Sequence, residues 1–205
     1  MIDYTVYAVT DAPGHYRTGL LEGVAAALEG GASVVQYRAT AAGKVELYSM
    51  ARALRDLTRA RAVPLIINNH LDLALAVEAD GAHVGQKDLA VDAARRVLGR
   101  DNLLGVSVST LAECESVDFA LVDYLGAGPV FPTGSKDDAA PAMGLETLQA
   151  IARRSPRPVV AIGGITVERA PAVFAAGASG VAVIAALSQA TDPAAAARAL
   201  RSAHA

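Results

Sequence analysis

The pattern of apolar and polar positions alternates between two rhythms along the chain. Short apolar runs, often β-branched, recur at 4–10 (YTVYAVT), 33–38 (SVVQYR), 64–68 (PLIIN), 82–85 (AHVG), 103–109 (LLGVSVS), 123–128 (DYLGAG), 158–164 (PVVAIGG) and 180–185 (GVAVIA). Between them the apolar spacing lengthens to a helical period, as in Leu20, Val24, Ala27 and Leu28, or Leu47, Met50, Leu54 and Leu57. Near-continuous apolar strands separated by helices predict parallel strands buried on both faces. Three junctions, LEGGASVVQ, VEADGAHVG and FAAGASGVAV, share a glycine or Asp-Gly break between a helix end and the next strand. Glycine suits that place because it adopts the left-handed backbone that ends a helix. Eight such units predict an α/β fold, a compact (β/α)8 TIM barrel forming a single domain over 1–205. At about 25 residues per unit it is small beside the roughly 250 residues usual for the class. A doubly wound open sheet fits less well, because no G-x-G-x-x-G follows the first strand.

Composition narrows the partners. With 53% hydrophobic and 19% charged residues the chain is a folded protein. A net charge of −3 without a basic stripe argues against nucleic acid and a membrane surface, so an anionic ligand must be held by local donors. Cys114 is the only cysteine, which excludes an intrachain disulfide and a multi-cysteine zinc site. The start, Met1-Ile2-Asp3-Tyr4, carries no basic leader, and no apolar run reaches membrane-spanning length, so the expected location is cytoplasmic. A homo-oligomer is compatible with this composition.

The barrel gives position a meaning, since residues just past the C-terminal ends of the strands share the face that carries chemistry in this fold. There the sequence places Gln36 and Arg38, Asn68 and Asn69, Gln86 and Asp88, Ser107, the long stretch 126–144, Gly163-Gly164, and Ile184-Ala185. Gly163-Gly164 suits a phosphate loop, in which bare backbone N–H groups approach an anion and Thr166 caps a helix from Val167; the alternative is a tight turn that needs glycine for conformation alone. Arg38 suits a diphosphate or a structural ion pair. Asp88, beside the amides Asn68 and Asn69, suits either Mg²⁺ or a helix cap, because Leu89 onward reads as helical. His83 reads as a buried, satisfied imidazole. The histidines show no metal-ligand spacing, and there is no G-x-S-x-G nucleophile elbow.

In order along the chain, these stations resemble the thiamine-phosphate synthase family, from Tyr7 to Arg198. The most specific pieces are the stretch from Asn68 to Asp88 ending in LDLALAVEADGAHVGQKD, GAGPVFPTGSK at 126–136, and VVAIGGIT at 159–166. The resemblance implies an enzyme that joins a pyrimidine diphosphate to a thiazole phosphate and releases pyrophosphate, with Mg²⁺ as cofactor and these small molecules as partners. It implies that Gln36 and Arg38 hold the pyrimidine diphosphate, with Asn68 and Ser107 beside it and Thr40 two residues past the arginine. Asp88 and Asn69 would face Mg²⁺. Thr133, Gly134 and Ser135 would meet the thiazole phosphate while Lys136 reaches the diphosphate; Gly164, Ile184 and Ala185 would line the thiazole-phosphate pocket. Arg38, Lys136 and Ser107 are the expected catalytic groups, and 126–144 the expected cover. Three positions depart from the family pattern: Thr40 stands where a second cation is usual, Asn69 where an aspartate is usual, and Ser109 where a histidine is usual. The alternatives that these departures bring in are a thiazole tautomerase and a thiazole-phosphate-binding regulator.

Overall fold

A computed structural model describes residues 2–39, 43–134 and 141–204. Eight parallel strands close a barrel in sequence order: β1 (Val6–Val9), β2 (Val34–Tyr37), β3 (Leu65–Asn68), β4 (Gly81–Val84), β5 (Leu103–Val108), β6 (Tyr124–Ala127), β7 (Val159–Ile162) and β8 (Gly180–Val183). The ring shuts where Tyr7 pairs with Ala182. Each strand lies within an apolar run expected from the sequence, shortened at the ends; β4 alone starts one residue earlier, at Gly81. Around the barrel lie α1 (Leu20–Glu29), α2 (Lys44–Arg59), α3 (Leu71–Ala76), α4 (Val91–Leu98), α5 (Leu111–Glu115), α6 (Gly144–Arg154), α7 (Ala170–Ala175), α8 (Ala185–Ser188) and α9 (Pro193–Ser202). No helix among the described residues is long and apolar enough to cross a membrane.

Strand periodicity sorts the core into two clusters. Side chains such as Val6, Val35, Leu65, Ala82, Leu104, Leu125, Ala161 and Val181 pack outward against the apolar faces of the helices, including Leu20, Val24, Leu54, Leu148 and Leu200. The intervening positions fill the barrel: Tyr7, Val9, Val34, Ile66, Tyr124, Val160 and Ala182. Continuing that alternation towards the C-terminal ends puts Gln36, Asn68, His83 and Ser107 on the inner face of β2 to β5, but Ile162 and Ile184 on the side of β7 and β8. The strand ends that face the mouth are therefore polar on β2 to β5 and apolar on β7 and β8.

At the opposite end, two matching devices hold the strands in register. Asp80 takes Arg55 of α2 at 2.7 Å and the Leu65 N–H at 2.7 Å; Asp123 takes Arg95 of α4 at 2.7 Å and the Leu104 N–H at 2.8 Å. Each carboxylate thus satisfies a donor at the start of a neighbouring strand, the first residue of β3 and the second of β5.

Two local expectations need correction. In VEADGAHVG the left-handed residue is Glu78 (φ 53), while Gly81 already lies in β4, where a Cβ would collide with the Leu103 carbonyl. Close approach between strands therefore explains that glycine. The helix expected from Val167 begins at Ala170, with Pro171 in its first turn and Arg169 at its cap; the Thr166 side chain instead bonds to Glu168 and does not cap the helix. A proline, lacking an N–H and fixed near helical φ, starts a helix more readily than it continues one.

Candidate active site at the barrel mouth

The C-terminal ends of the strands surround a cavity of about 1130 Å³. Every described candidate residue lines it. Gln36 and Arg38 come from the end of β2, Asn68 and Asn69 from β3, and Asp88 from the turn after β4. Ser107 comes from β5, Thr133 and Gly134 from the segment after β6, Gly164 from the turn after β7, and Ile184 and Ala185 from the end of β8. Thr40, Ser135 and Lys136 lie outside the described residues, as does part of the expected cover.

Arg38 is anchored at both ends of its backbone unit by Thr10, whose Oγ1 accepts the Arg38 N–H at 2.9 Å and donates to the Arg38 carbonyl at 3.4 Å. Its guanidinium lies 3.9 Å from Asp11 and still lines the cavity, so the ion-pair and ligand-facing readings describe the same side chain. Asp11 also receives His15 Nδ1 at 3.0 Å, Ser188 Oγ at 3.0 Å and the Ala12 N–H at 2.9 Å. Burial pushes this carboxyl up, but those hydrogen bonds outweigh it and hold it below the usual aspartate range. It remains an anion behind the arginine.

Asp88 is not a helix cap, because α4 begins at Val91 with Ala90 at its cap. Its Oδ2 accepts the Gly85 N–H at 2.7 Å, closing the turn and presenting the carboxylate at the cavity wall. Asn69 faces the same cavity from a left-handed backbone (φ 63), its N–H bonded to the His83 carbonyl at 2.8 Å. Mg²⁺ takes one or two carboxylates and completes its shell with water and phosphate oxygens. One carboxylate in a cavity also lined by the amides Asn68, Asn69 and Gln86 is compatible with that demand, and no cluster of three or more His, Cys, Asp or Glu side chains suited to a metal occurs among the described residues.

The side of β7 and β8 offers backbone donors. Gly163 (φ 100) and Gly164 (φ 61) both need the left-handed region, and a Cβ on Gly164 would come within 2.6 Å of the Pro132 carbonyl. The segment after β6 is laid directly over this turn, with Val130 and Phe131 donating to the Ile162 and Gly163 carbonyls at 2.8 and 3.0 Å. No acceptor among the described residues takes the N–H groups of Gly164, Ala185 or Ala186. Arg169 braces the turn, donating to the Gly164 carbonyl at 2.6 Å and lying 4.7 Å from the centre of the Phe131 ring.

Several cavity residues were not among the expected ones. Arg169, Glu113 and Lys87 line the wall, and Tyr7, Tyr124 and His83 the floor. His83 is buried and hydrogen-bonded as expected, yet its Nε2 lies 2.9 Å from Ser107 Oγ, which ties it to the site. Ser109, one of the three departures from the family pattern, donates to the Gly128 carbonyl at 2.8 Å and braces the segment after β6.

Fold and mouth together define a (β/α)8 barrel with its candidate site at the C-terminal ends of the strands. A family model described as thiamine monophosphate synthase matches residues 6–187. The chain is 48% identical to the thiamine-phosphate synthase of Chloroflexus aurantiacus, over 98% of this chain and 93% of that protein. It is 47% identical to that of Haloarcula marismortui, over 99% and 98%. Among solved structures, a thiamine phosphate pyrophosphorylase from Pyrococcus furiosus superimposes with a TM-score of 0.89 at 36% identity, over 98% of this chain and 96% of that one. A 3-hexulose-6-phosphate synthase, at 20% identity and a TM-score of 0.67, shares the fold. The chain belongs to the thiamine monophosphate synthase family.

Proposed function

We propose that this protein is a transferase that condenses 4-amino-2-methyl-5-hydroxymethylpyrimidine diphosphate with 4-methyl-5-(2-phosphoethyl)thiazole, giving thiamine phosphate and pyrophosphate. The observation that carries the reading is the convergence of the chain-distant residues Gln36, Arg38, Asp88, Ser107, Thr133 and Gly164 on one cavity, in a chain nearly half identical to proteins of that name. The side of the mouth at β2 to β5 suits the pyrimidine and its diphosphate, with Gln36 and Asn68 at the ring and Arg38 and Ser107 at the phosphoryl oxygens. The side at β7 and β8 suits the thiazole, with the N–H groups of Gly164 and Ala185 and the Thr133 hydroxyl at its phosphate.

In this arrangement the methylene C–O bond breaks with its electron pair leaving on pyrophosphate, and the thiazole nitrogen supplies the pair that forms the new C–N bond. No protein nucleophile is needed; the protein positions two substrates and stabilises charge on the leaving group. Arg38 does so from β2, held by Thr10 and Asp11, and Lys136 is assigned the same task from the stretch after β6. Asp88, with Asn69 beside it, would hold Mg²⁺, which when bound supplies further charge neutralisation to the diphosphate. Covering the mouth keeps water from the electron-poor pyrimidine methylene.

The test is direct. Purified protein with both substrates and Mg²⁺ should form thiamine phosphate and pyrophosphate in equal amounts. Binding of thiazole phosphate with no condensation would reject the proposal in favour of a binder, and conversion between thiazole tautomers in its place would assign a different reaction.

A further inference from the structure

Five side chains from five strands form one hydrogen-bonded line through the barrel. Gln36 Nε2 donates to the Tyr7 phenol at 2.8 Å; Tyr7 and Tyr124 meet oxygen to oxygen at 2.7 Å; Tyr124 meets His83 Nδ1 at 3.1 Å; His83 Nε2 meets Ser107 Oγ at 2.9 Å. Both phenols are only 1% exposed. Both are pushed well above the usual tyrosine range, chiefly by burial, so both keep their protons.

The line has a direction. Either phenol could donate in the Tyr7–Tyr124 bond; with the Gln36 N–H spent on the Tyr7 oxygen, we infer that the Tyr7 hydroxyl donates to Tyr124. Tyr124 then accepts from Tyr7 and donates its own proton to His83 Nδ1. A neutral imidazole that accepts at Nδ1 carries its proton at Nε2, where it donates to Ser107 Oγ. The Ser107 hydroxyl proton is then left to donate into the cavity, and Gln36 keeps its Oε1 as an acceptor. The opposite direction requires Gln36 to turn its Oε1 onto Tyr7. Ser107 would then spend its proton on His83 and present only lone pairs, which repel phosphoryl oxygens.

The barrel is cut to fit this line. A Cβ on Gly105 would collide with the Tyr124 ring and come within 2.5 Å of His83 Nδ1, and one on Gly126 would come within 2.8 Å of His83 Cε1. Two glycines on β5 and β6 thus supply the room that the two rings occupy.

We propose that Tyr7, Tyr124 and His83 are positioning residues that fix the hydrogen-bond polarity of the active site, making Ser107 a dedicated donor to the diphosphate and Gln36 an acceptor for the pyrimidine amino group. This deepens, and in its substrate assignments rests on, the synthase reading of the cavity. The relay itself is testable without substrate. Long-range ¹⁵N–¹H NMR of the ligand-free protein, with His83 assigned by the signals lost in His83→Gln, should show the proton on Nε2, and Tyr124→Phe should shift both ring nitrogens. A proton on Nδ1 would overturn the proposal.

The kinetic arm is a double-mutant cycle. Tyr124→Phe should lower kcat/KM for the pyrimidine diphosphate by roughly tenfold, the size of one charge-assisted hydrogen bond, with the KM for thiazole phosphate unchanged. In a Ser107→Ala background the same substitution should cost less than about twofold, because its effect passes through the missing hydroxyl. Fully additive losses would overturn the proposal by showing that Tyr124 acts on the fold alone. A parent protein without turnover would count against the synthase reading, and the histidine tautomer would then decide for or against the relay.

Discussion

Replacing Gly164 with alanine separates strain in the turn after β7 from its role at a phosphate. The residue sits at φ 61, where an L side chain costs about 1–2 kcal/mol. Its new Cβ would stand 2.6 Å from the Pro132 carbonyl and 2.8 Å from Phe131 Cβ, so the segment laid over the turn must move. Overpacking of that kind costs about 1–3 kcal/mol. The sum is a loss of roughly 2–5 kcal/mol, read as a lower urea midpoint at unchanged slope. Gly177→Ala is the control: Gly177 is also left-handed (φ 95), but a Cβ there meets Ala152 Cβ at 3.2 Å and the residue does not line the cavity. Both variants should lose stability. Only Gly164→Ala should raise the KM for thiazole phosphate, by about tenfold or more, since displacing the turn by a few tenths of an ångström forfeits a charge-assisted hydrogen bond. If the two variants lose equal stability and both keep the parent KM, the turn after β7 is a structural corner and the phosphate assignment fails.

Other substitutions test other parts of the mouth. Asn69→Asp adds a second carboxylate beside Asp88 and should tighten apparent Mg²⁺ affinity in a titration of activity; no change would remove Asn69 from the metal's neighbourhood. Lys136→Ala should depress turnover strongly while far-ultraviolet circular dichroism stays that of the parent, and unchanged kinetics would take that lysine out of the reaction. Asp11, held below its ordinary value of 3.8, contributes stability that is present above that pH and lost as pH falls through its lowered value. Asp11→Asn should therefore flatten the acid limb of a stability–pH curve; an identical limb would mean the carboxylate carries no such stabilisation. Tyr7 is shifted the other way, above its ordinary 10.0, so the folded state keeps a proton that the unfolded chain loses. Stability should fall as pH rises beyond that value, and Tyr7→Phe should make the fall shallower; an equal slope would refute the coupling.

The strands were legible because a parallel barrel strand is buried on both faces and so writes an unbroken apolar run, as PVVAIGG does for β7. The residues lining the mouth were legible because polar side chains at the ends of such runs have no place in an apolar core, which singled out Gln36, Arg38, Asn68 and Ser107. What stayed hidden is what the same code cannot express. Tyr7 and Tyr124 sit inside apolar runs and read as core, since an aromatic ring contributes burial whether or not its hydroxyl is part of a polar network. Gly105 and Gly126 look like weak strand residues until the rings that fill their missing Cβ positions are known. The start of α7 was misplaced because Thr166 resembles a cap in sequence, whereas Pro171 decides where the turn can begin. Asp88 was ambiguous for a similar reason: a short carboxylate ahead of a helix can cap it or close the preceding turn, and only the bond to the Gly85 N–H distinguishes the two.

The central claim is that one cavity holds two phosphorylated rings side by side, and a crystal structure with thiazole phosphate, pyrophosphate and Mg²⁺ tests it most directly. The thiazole phosphate should lie within hydrogen-bonding distance of the Gly164 and Ala185 N–H groups, with pyrophosphate between Arg38 and Ser107 and the metal at Asp88. Either anion bound instead at the opposite end of the barrel, beside Arg55 and Arg59, would contradict the account.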